Sequence, residues 1–163
     1  MARDGVTMKL IGAKDLERAL LALPERLQKS TIDRALLRVG APIAADAKGR
    51  VNRAGGKPDV ADKIIVSKNL SRRQRRGQTK EDGTRTIYIG VRPAPHAHLI
   101  EFGTGPRYTK AGAYRGSMPA APFMRPAWDG GWRPALDDLG KILGEEIEKS
   151  ARRLAKRQAK LLR

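Results

Sequence analysis

The sequence contains no cysteine, few aromatic side chains and only two histidines. Without cysteine, the chain can form neither disulfides nor thiolate metal sites. Aromatic residues make up only 4% of the chain, so we expect a core of Leu, Ile, Val and Ala. No segment approaches the roughly 18 apolar residues that a membrane-spanning helix needs, and residues 1–12 lack the apolar run of a signal peptide. We therefore expect a chain that stays in the cytosol or is built there into a larger assembly.

Acidic residues are also scarce, since 34 Lys and Arg face 17 Asp and Glu, a formal net charge of +17. Two segments without any acid carry most of this excess, and both favour contact with a polyanion or an acidic protein face. The first, at residues 68–80, contains Lys68, Arg72, Arg73, Arg75, Arg76 and Lys80. The second, at residues 149–163 and called the basic tail below, contains Lys149, Arg152, Arg153, Lys156, Arg157, Lys160 and Arg163. No helix-turn-helix spacing, zinc-finger pattern or RNA-module aromatics accompany them, so binding to nucleic acid would be sequence-independent and steeply salt-dependent.

Apolar periodicity predicts three helical regions. A first helix over residues 14–29 is interrupted by Pro24, which kinks or splits it. A second helix runs from about Ile32 to Arg50, with Ser30 and Thr31 as candidate caps. A third opens at residues 133–134 and continues towards the end of the chain.

Strand signals occur at residues 6–11, 63–67 and 85–93. The cations of the first basic segment from Arg72 to Lys80 fall in residues 69–84, called the basic loop below, which we predict to be mobile. Residues 103–122 are rich in Gly and Pro and form a long loop. The order of elements predicts an α+β fold, with a small, mostly antiparallel sheet packed by two N-terminal helices and a long C-terminal helix. We expect one domain over residues 1–148 and a basic helical extension over residues 149–163.

The segment HAHLIEFGTG, residues 96–105, offers the one candidate metal site. On a strand, His96 and His98 would point to the same face, and Glu101 could reach it. A third ligand at a firm spacing is missing, and the arrangement differs from the helical HExxH motif. No nucleophile motif or phosphate-binding lysine motif is present either, so we predict neither an enzyme nor a cofactor. The paired acids at 137–138 and 145–146 are expected to face solvent.

Two segments carry a family resemblance when they are taken together: HAHLIEFGTGPR at residues 96–107 and MPAAPFMRPAWD at residues 118–129. The pair is similar to the head–tail joining and tail-completion family of long-tailed bacteriophages, the lambdoid gene-product-ten type, over roughly residues 8–150. The resemblance implies a structural motif of Glu101, Phe102, Gly103, Thr104, Pro119, Pro122, Phe123, Arg125 and Pro126. It also implies that Phe102, Phe123 and Trp128 are buried.

The function implied by the resemblance is that of a non-enzymatic virion protein of the neck or upper tail. It would form a six-fold ring that completes the tail and joins it to the DNA-filled head, after assembly in the host cytoplasm. Its partners would be further copies of itself, neighbouring neck, tail-terminator or tail-tube proteins, and the DNA in the channel, with no membrane involved. Residues 103–122 would contact a subunit or partner. The candidate DNA or partner contacts are Arg72, Arg73, Arg75, Arg76, Lys80, Lys149, Arg152, Arg153, Lys156, Arg157 and Lys160.

Two alternatives stay open at this point. A stand-alone, sequence-independent nucleic-acid-binding protein would also account for the two basic segments. A metal-dependent hydrolase would use His96, His98 and Glu101.

Overall fold

The computed structural model describes residues 12–53, 58–70, 75–76, 84–94 and 96–161. Within these ranges the chain forms five helices and two strands. In chain order they are α1 (Ala13–Leu21), α2 (Glu25–Arg53), α3 (Pro58–Asp62), β1 (Ile64–Ser67), β2 (Tyr88–Val91), α4 (Ala97–Phe102) and α5 (Met124–Leu161). The strand predicted at residues 6–11 lies outside the described residues.

The two long helices α2 and α5 form an antiparallel pair that organises the fold. Thr31, near the start of α2, meets Ser150 on α5, while Ile43 further along α2 meets Gly131 near the start of α5. A Cβ added at Gly131 would lie 2.7 Å from Cγ1 of Ile43. Glycine is therefore what allows the helices to approach this closely at the crossing.

The sheet consists of β1 and β2, paired antiparallel with Ile64 opposite Val91 and Ser67 opposite Tyr88. Helix α2 covers one face of it, and Gly40 marks the crossing, because a Cβ there would lie 2.9 Å from Ile87 and 3.0 Å from Val66. A helix-rich chain with a small antiparallel sheet, two N-terminal helices and a long C-terminal helix confirms the predicted α+β class.

The core lies where α2, α3, the sheet and the start of α5 meet. It is built almost entirely from small aliphatic side chains, as the composition predicted: Ile43, Ala44, Ala47, Val51, Val60, Ala61, Ile64, Ala97, Phe123 and Ala127. Among the described residues, Phe123 is the single buried aromatic, with 2% of its surface exposed. Small side chains let the elements lie close together, so the core is thin and its one large side chain carries much of the packing.

Pro24 separates α1 from α2, which confirms the predicted interruption. The side chain of Gln28 donates to the carbonyl of Leu23 at 2.7 Å, so the broken end of α1 keeps a hydrogen-bond partner. The predicted boundary at Ser30 and Thr31 is wrong, because α2 begins at Glu25 and passes through both. Thr31 is fully buried and bonds to α5 rather than capping a helix.

The start of the last helix also differs from the prediction. α5 begins at Met124, well before residues 133–134, and Pro134 lies inside it, as Pro42 lies inside α2. Both prolines are on exposed sides of their helices, where water can satisfy the carbonyl that loses its backbone donor. Within residues 84–94, the second strand is limited to Tyr88–Val91, shorter than the predicted 85–93.

Candidate functional site

The two family-like segments are joined by a single carboxylate. Glu101 Oε2 accepts the backbone N–H groups of Phe123 at 2.8 Å and Met124 at 2.9 Å. Its Oε1 accepts the N–H of Arg125 at 3.0 Å. A helix leaves its first four N–H groups without intrahelical partners, counted here from Phe123, the residue just before α5. The fourth of these residues is Pro126, which has no N–H, so one glutamate and one proline account for all four positions.

The ionised form of Glu101 is the one that this arrangement favours. Burial raises the pKa of the Glu101 carboxyl, but the hydrogen bonds from the N–H groups of Met124, Phe123 and Arg125 together outweigh burial. The pKa therefore lies below its ordinary value, and a negative charge rests at the positive end of the dipole of α5. Glu101 is thus a cap supplied from another element of the fold.

Gly103 provides the second half of this junction. Its φ of 72° and ψ of −174° belong to a region that is essentially restricted to glycine. A Cβ there would lie 2.7 Å from both the amide nitrogen of Ala120 and the carbonyl oxygen of Met118. Next to it, Thr104 and Met118 form an antiparallel bridge, and the Thr104 hydroxyl accepts the N–H of Met118 at 3.0 Å. The EFGT segment, called the lock below, therefore fixes the position of residues 118–120 and of the start of α5.

Phe102 does not fill the core, contrary to prediction. It is 68% exposed, while the core position at this junction is taken by Phe123, whose predicted burial is confirmed. Trp128 is 53% exposed, because it follows the fully buried Ala127 on α5 and points about 100° away from it. The two exposed aromatics flank an open hollow of about 650 Å³, called the aromatic groove below. Its lining is Ile43, Ile89, Gly90, Val91, Ala97, His98, Glu101, Phe102, Phe123, Met124, Arg125, Trp128 and Asp129.

Residues 104–118 form a projecting antiparallel hairpin, called the arm below, in place of the predicted irregular loop. Isolated bridges pair Thr104 with Met118 and Tyr108 with Tyr114. The two tyrosine rings lie 5.5 Å apart, centroid to centroid, and are 64% and 61% exposed. Cross-strand aromatic contacts of this kind stabilise a hairpin, so the arm presents its tyrosines as a unit. The turn-forming Lys-Ala-Gly between two tyrosines was the sequence signal for this hairpin.

The histidines do not assemble a metal site. His96 precedes α4 and His98 lies within it, so the strand geometry that would place both on one face is absent. Both carboxylate oxygens of Glu101 accept hydrogen bonds from backbone N–H groups. Over the described ranges, no group of three or more His, Asp or Glu side chains could hold a metal ion.

The predicted basic contacts are distributed unevenly. Of the basic loop, Arg75 and Arg76 are exposed, whereas Arg72, Arg73 and Lys80 lie outside the described residues. In the basic tail, Lys149 pairs with Glu146 at 3.3 Å and Arg152 with Glu148 at 3.5 Å. The other four described cations of the tail are exposed and form no ion pair within the described part of the chain: Arg153, Lys156, Arg157 and Lys160.

A polar cluster between α2 and α5 was missed by sequence reasoning. Glu146, with its side chain 6% exposed, accepts hydrogen bonds from Arg34 and Arg38, each at 3.0 Å. Ser150 donates to the Glu146 carbonyl at 2.7 Å and accepts from Arg34 at 2.7 Å. The one hydroxyl proton of Ser150 is used in the bond to the Glu146 carbonyl. Thr31 is therefore the donor in the 2.7 Å contact between the Thr31 and Ser150 hydroxyls.

The prediction that the acids at 145–146 face solvent is therefore wrong for Glu146. Burial raises the pKa of Glu146, but hydrogen bonds from cationic side chains, first of all Arg34, outweigh it, so the pKa lies below its ordinary value. The signal in the sequence was the spacing of Arg34 and Arg38, which places two cations on one side of α2.

Comparison with known families gives one match. A family model described as "Bacteriophage HK97-gp10, putative tail-component" matches residues 14–103, more than half of the chain. The chain belongs to this family. The match includes Glu101, Phe102 and Gly103 of the lock but ends before the second family-like segment, residues 118–129. That segment contacts the matched residues through its backbone hydrogen bonds to Glu101. The family description confirms the resemblance to a phage tail component.

No curated protein and no solved structure gave a significant match to the chain. In the described residues, no helix is both long enough and apolar enough to cross a membrane.

Proposed function

We propose that the chain is a structural protein of the phage neck or upper tail, forming a ring that completes the tail and joins it to the DNA-filled head. Membership of a tail-component family carries this proposal. The exposed aromatic side chains of the fold support it, because exposed apolar patches mark protein–protein contact sites.

The basic tail is the surface that we assign to an anionic neighbour. Arg153, Lys156, Arg157 and Lys160 are spaced three or four residues apart on α5, so they share one side of the helix. Each contributes little alone, but a ring repeats the set around its axis, and the contacts then add by avidity. The anion is the DNA in the channel or an acidic rim of an adjacent ring. The predicted contacts of the basic loop would act in the same way.

Deletion of the gene from a phage or prophage that encodes it tests the function directly. Electron microscopy of the lysate should show filled heads separate from tails, or tails of abnormal length. Intact particles of normal length would overturn the proposal and favour the stand-alone nucleic-acid-binding alternative.

A charge-reversal variant tests the surface. Glutamate at residues 153, 156, 157 and 160 should abolish assembly without changing the melting midpoint, because these side chains are exposed. The matched control reverses four exposed cations elsewhere: Lys14, Arg18, Arg26 and Lys48. Normal infectivity of the first variant, or equal loss in both, would refute the assignment of the basic tail.

A further inference from the structure

Most of the few aromatic side chains of this chain are exposed rather than buried. The sequence has two phenylalanines, two tryptophans and three tyrosines, and four of them stand more than half exposed: Phe102, Tyr108, Tyr114 and Trp128. Two of these flank the aromatic groove and two belong to the arm. Aromatic residues are enriched at protein–protein contacts and dominate their binding energy. Two exposed aromatic pairs in a chain with so few aromatic residues indicate two contact surfaces.

The aromatic groove has the shape of a receptor for an inserted apolar group. The edge of the sheet at Ile89, Gly90 and Val91 forms one side, and the start of α5 forms another. On the far side of Phe102 lies a second hollow of about 470 Å³, lined in part by Ala120 and Pro122. Phe102 therefore stands as a ridge between two depressions, with apolar surface on both sides.

The arm has the shape of the inserted group. Tyr108 and Tyr114 lie four residues beyond the Thr104–Met118 bridge, which corresponds to about 13 Å of extended strand. The base of the arm begins two residues after Phe102, yet neither tyrosine lines the groove of its own chain. A tyrosine pair held at that distance is placed to meet a groove on another molecule.

Charge favours the same pairing. The arm carries three exposed cations and no acid: Arg107, Lys110 and Arg115. Around the groove, Glu101 and the exposed Asp129 supply two carboxylates against one cation, Arg125. In a chain of net charge +17, this is a locally acidic place. Both oxygens of Glu101 already accept backbone N–H groups, so Asp129 is the carboxylate that can attract the arm cations. The groove offers no excess of cations to a phosphate backbone.

We infer that the arm of one copy binds in the aromatic groove of a second copy, with Tyr108 and Tyr114 packed against Phe102 and Trp128. The contact joins two different surfaces of the same chain, so it is heterologous and repeats head to tail until the ring closes. The inference rests on the ring proposed above and names the surfaces that close it. The arm cations then lie beside Asp129 of the neighbour, which offsets part of the repulsion between strongly basic subunits.

Cysteine cross-linking in assembled particles tests this directly, because the chain has no cysteine of its own. Ala113→Cys places a thiol in the arm beside Tyr114, and Gly130→Cys places one beside Asp129. Both positions are exposed, and a Cβ at Gly130 meets open space. Particles from a phage that encodes the double variant would be treated with a short bis-maleimide and analysed by denaturing electrophoresis and mass spectrometry.

The expected result is a series of covalent multimers of this chain, absent in each single variant, with the 113–130 link identified in peptides. Dimers from Ala113→Cys alone would show arm-to-arm pairing and overturn the inference. So would a link from the arm to a different virion protein, or the chain in particles without multimers. Absence of the chain from untreated particles would instead refute the proposed function, and the inference would fall with it.

A second set of variants separates docking from folding. In the cross-linkable background, Phe102→Ala and Trp128→Ala should each weaken docking about tenfold, as removal of a central interface aromatic does. Both side chains are exposed, so the melting midpoint should hold. Leu21→Ala, at a residue 63% exposed on α1, is the matched control and should leave the cross-linking yield unchanged. Equal yields in all three variants would overturn the assignment of the groove.

Discussion

The capping carboxylate of Glu101 gives the sharpest test of the fold. Glu101→Gln keeps the size of the side chain but removes its charge and replaces one acceptor oxygen with an amide that donates. The oxygen that remains can still accept the N–H groups of Phe123 and Met124, while the new amide faces the N–H of Arg125, donor against donor. The substitution therefore loses one hydrogen bond and the interaction of the charge with the dipole of α5.

The expected loss in the free energy of unfolding follows from these two terms. Removal of a helix cap costs about 0.5–2 kcal/mol, and a charge at a helix N-terminus contributes about 0.3–1 kcal/mol. Because Gln keeps part of the cap, we expect a loss of about 1–2 kcal/mol at neutral pH. For a chain of this size, that corresponds to a melting midpoint lower by about 2–8 °C. Urea unfolding followed by circular dichroism measures the same quantity at constant temperature.

The pH dependence distinguishes a charged cap from a merely well-packed side chain. The pKa of Glu101 is lowered by folding from an ordinary value of 4.5. Its stabilisation is therefore complete above that value and is lost as pH falls through the lower, folded-state pKa. The difference between the wild-type chain and the variant should shrink as pH falls through the folded-state pKa, below which the carboxyl is protonated in both states.

Glu17→Gln, on the exposed side of α1, is the matched control and should change stability little at any pH. Equal midpoints for the wild-type chain and Glu101→Gln at pH 7 would refute the capping role. A difference that did not shrink at all on acidification from pH 7 to well below 4.5 would refute its electrostatic part.

Three further substitutions test other parts of the structure in the same unfolding assay. Gly103→Ala should lower the free energy of unfolding by about 2–4 kcal/mol, because Gly103 combines a glycine-only backbone conformation with close backbone contacts. A Cβ at Gly105 meets open space, so the control Gly105→Ala should be near neutral, and equal effects of the two would contradict the role of the lock. Phe123→Ala should cost about 3–5 kcal/mol as a buried aromatic and Phe102→Ala less than about 1 kcal/mol, and the reverse order would show that the two are misassigned. Glu146→Gln should lower the free energy of unfolding by about 2–3 kcal/mol, because Arg34 and Arg38 would lose the carboxylate that they face. Since folding lowers the pKa of Glu146, this difference should also fall on acidification, and a midpoint unchanged at pH 7 would contradict the role of the cluster.

Much of the fold was predictable because local rules decided it. The proline at 24 interrupts the first helical pattern whatever surrounds it, since it has neither an N–H nor a free φ. The run Ile64–Ser67 reads as a strand and is one. Boundaries failed where tertiary contacts outweighed local preference. Thr31 has the residue type of a cap but lies inside a helix, because its hydroxyl finds a partner on α5.

The site was predictable only as a pair of segments. The sequence identified EFGT and PAAPFMRPA as a unit but could not tell which of Phe102 and Phe123 is buried. Phe102 ends the six-residue helix α4 and Phe123 lies just before α5, so neither belongs to an apolar pattern long enough to show which side faces the core. The cap of Glu101 was invisible for a related reason. It joins residues more than twenty positions apart, and only the turn at Gly103 brings them together.

Helix α5 is continuous from Met124 to Leu161, so its length fixes the distance between the aromatic groove near one end and the basic tail at the other. Trp128 and Lys156 are separated by about 42 Å along its axis at about 1.5 Å per residue. Their directions are also coupled, because one inserted residue would turn the basic side by about 100° around the axis while hardly changing the distance. Removal of seven residues would shorten this distance by about 10 Å and nearly restore the original direction of the basic side. The number of residues between Trp128 and Lys156 thus sets both how far the basic tail lies from the aromatic groove and which way it faces.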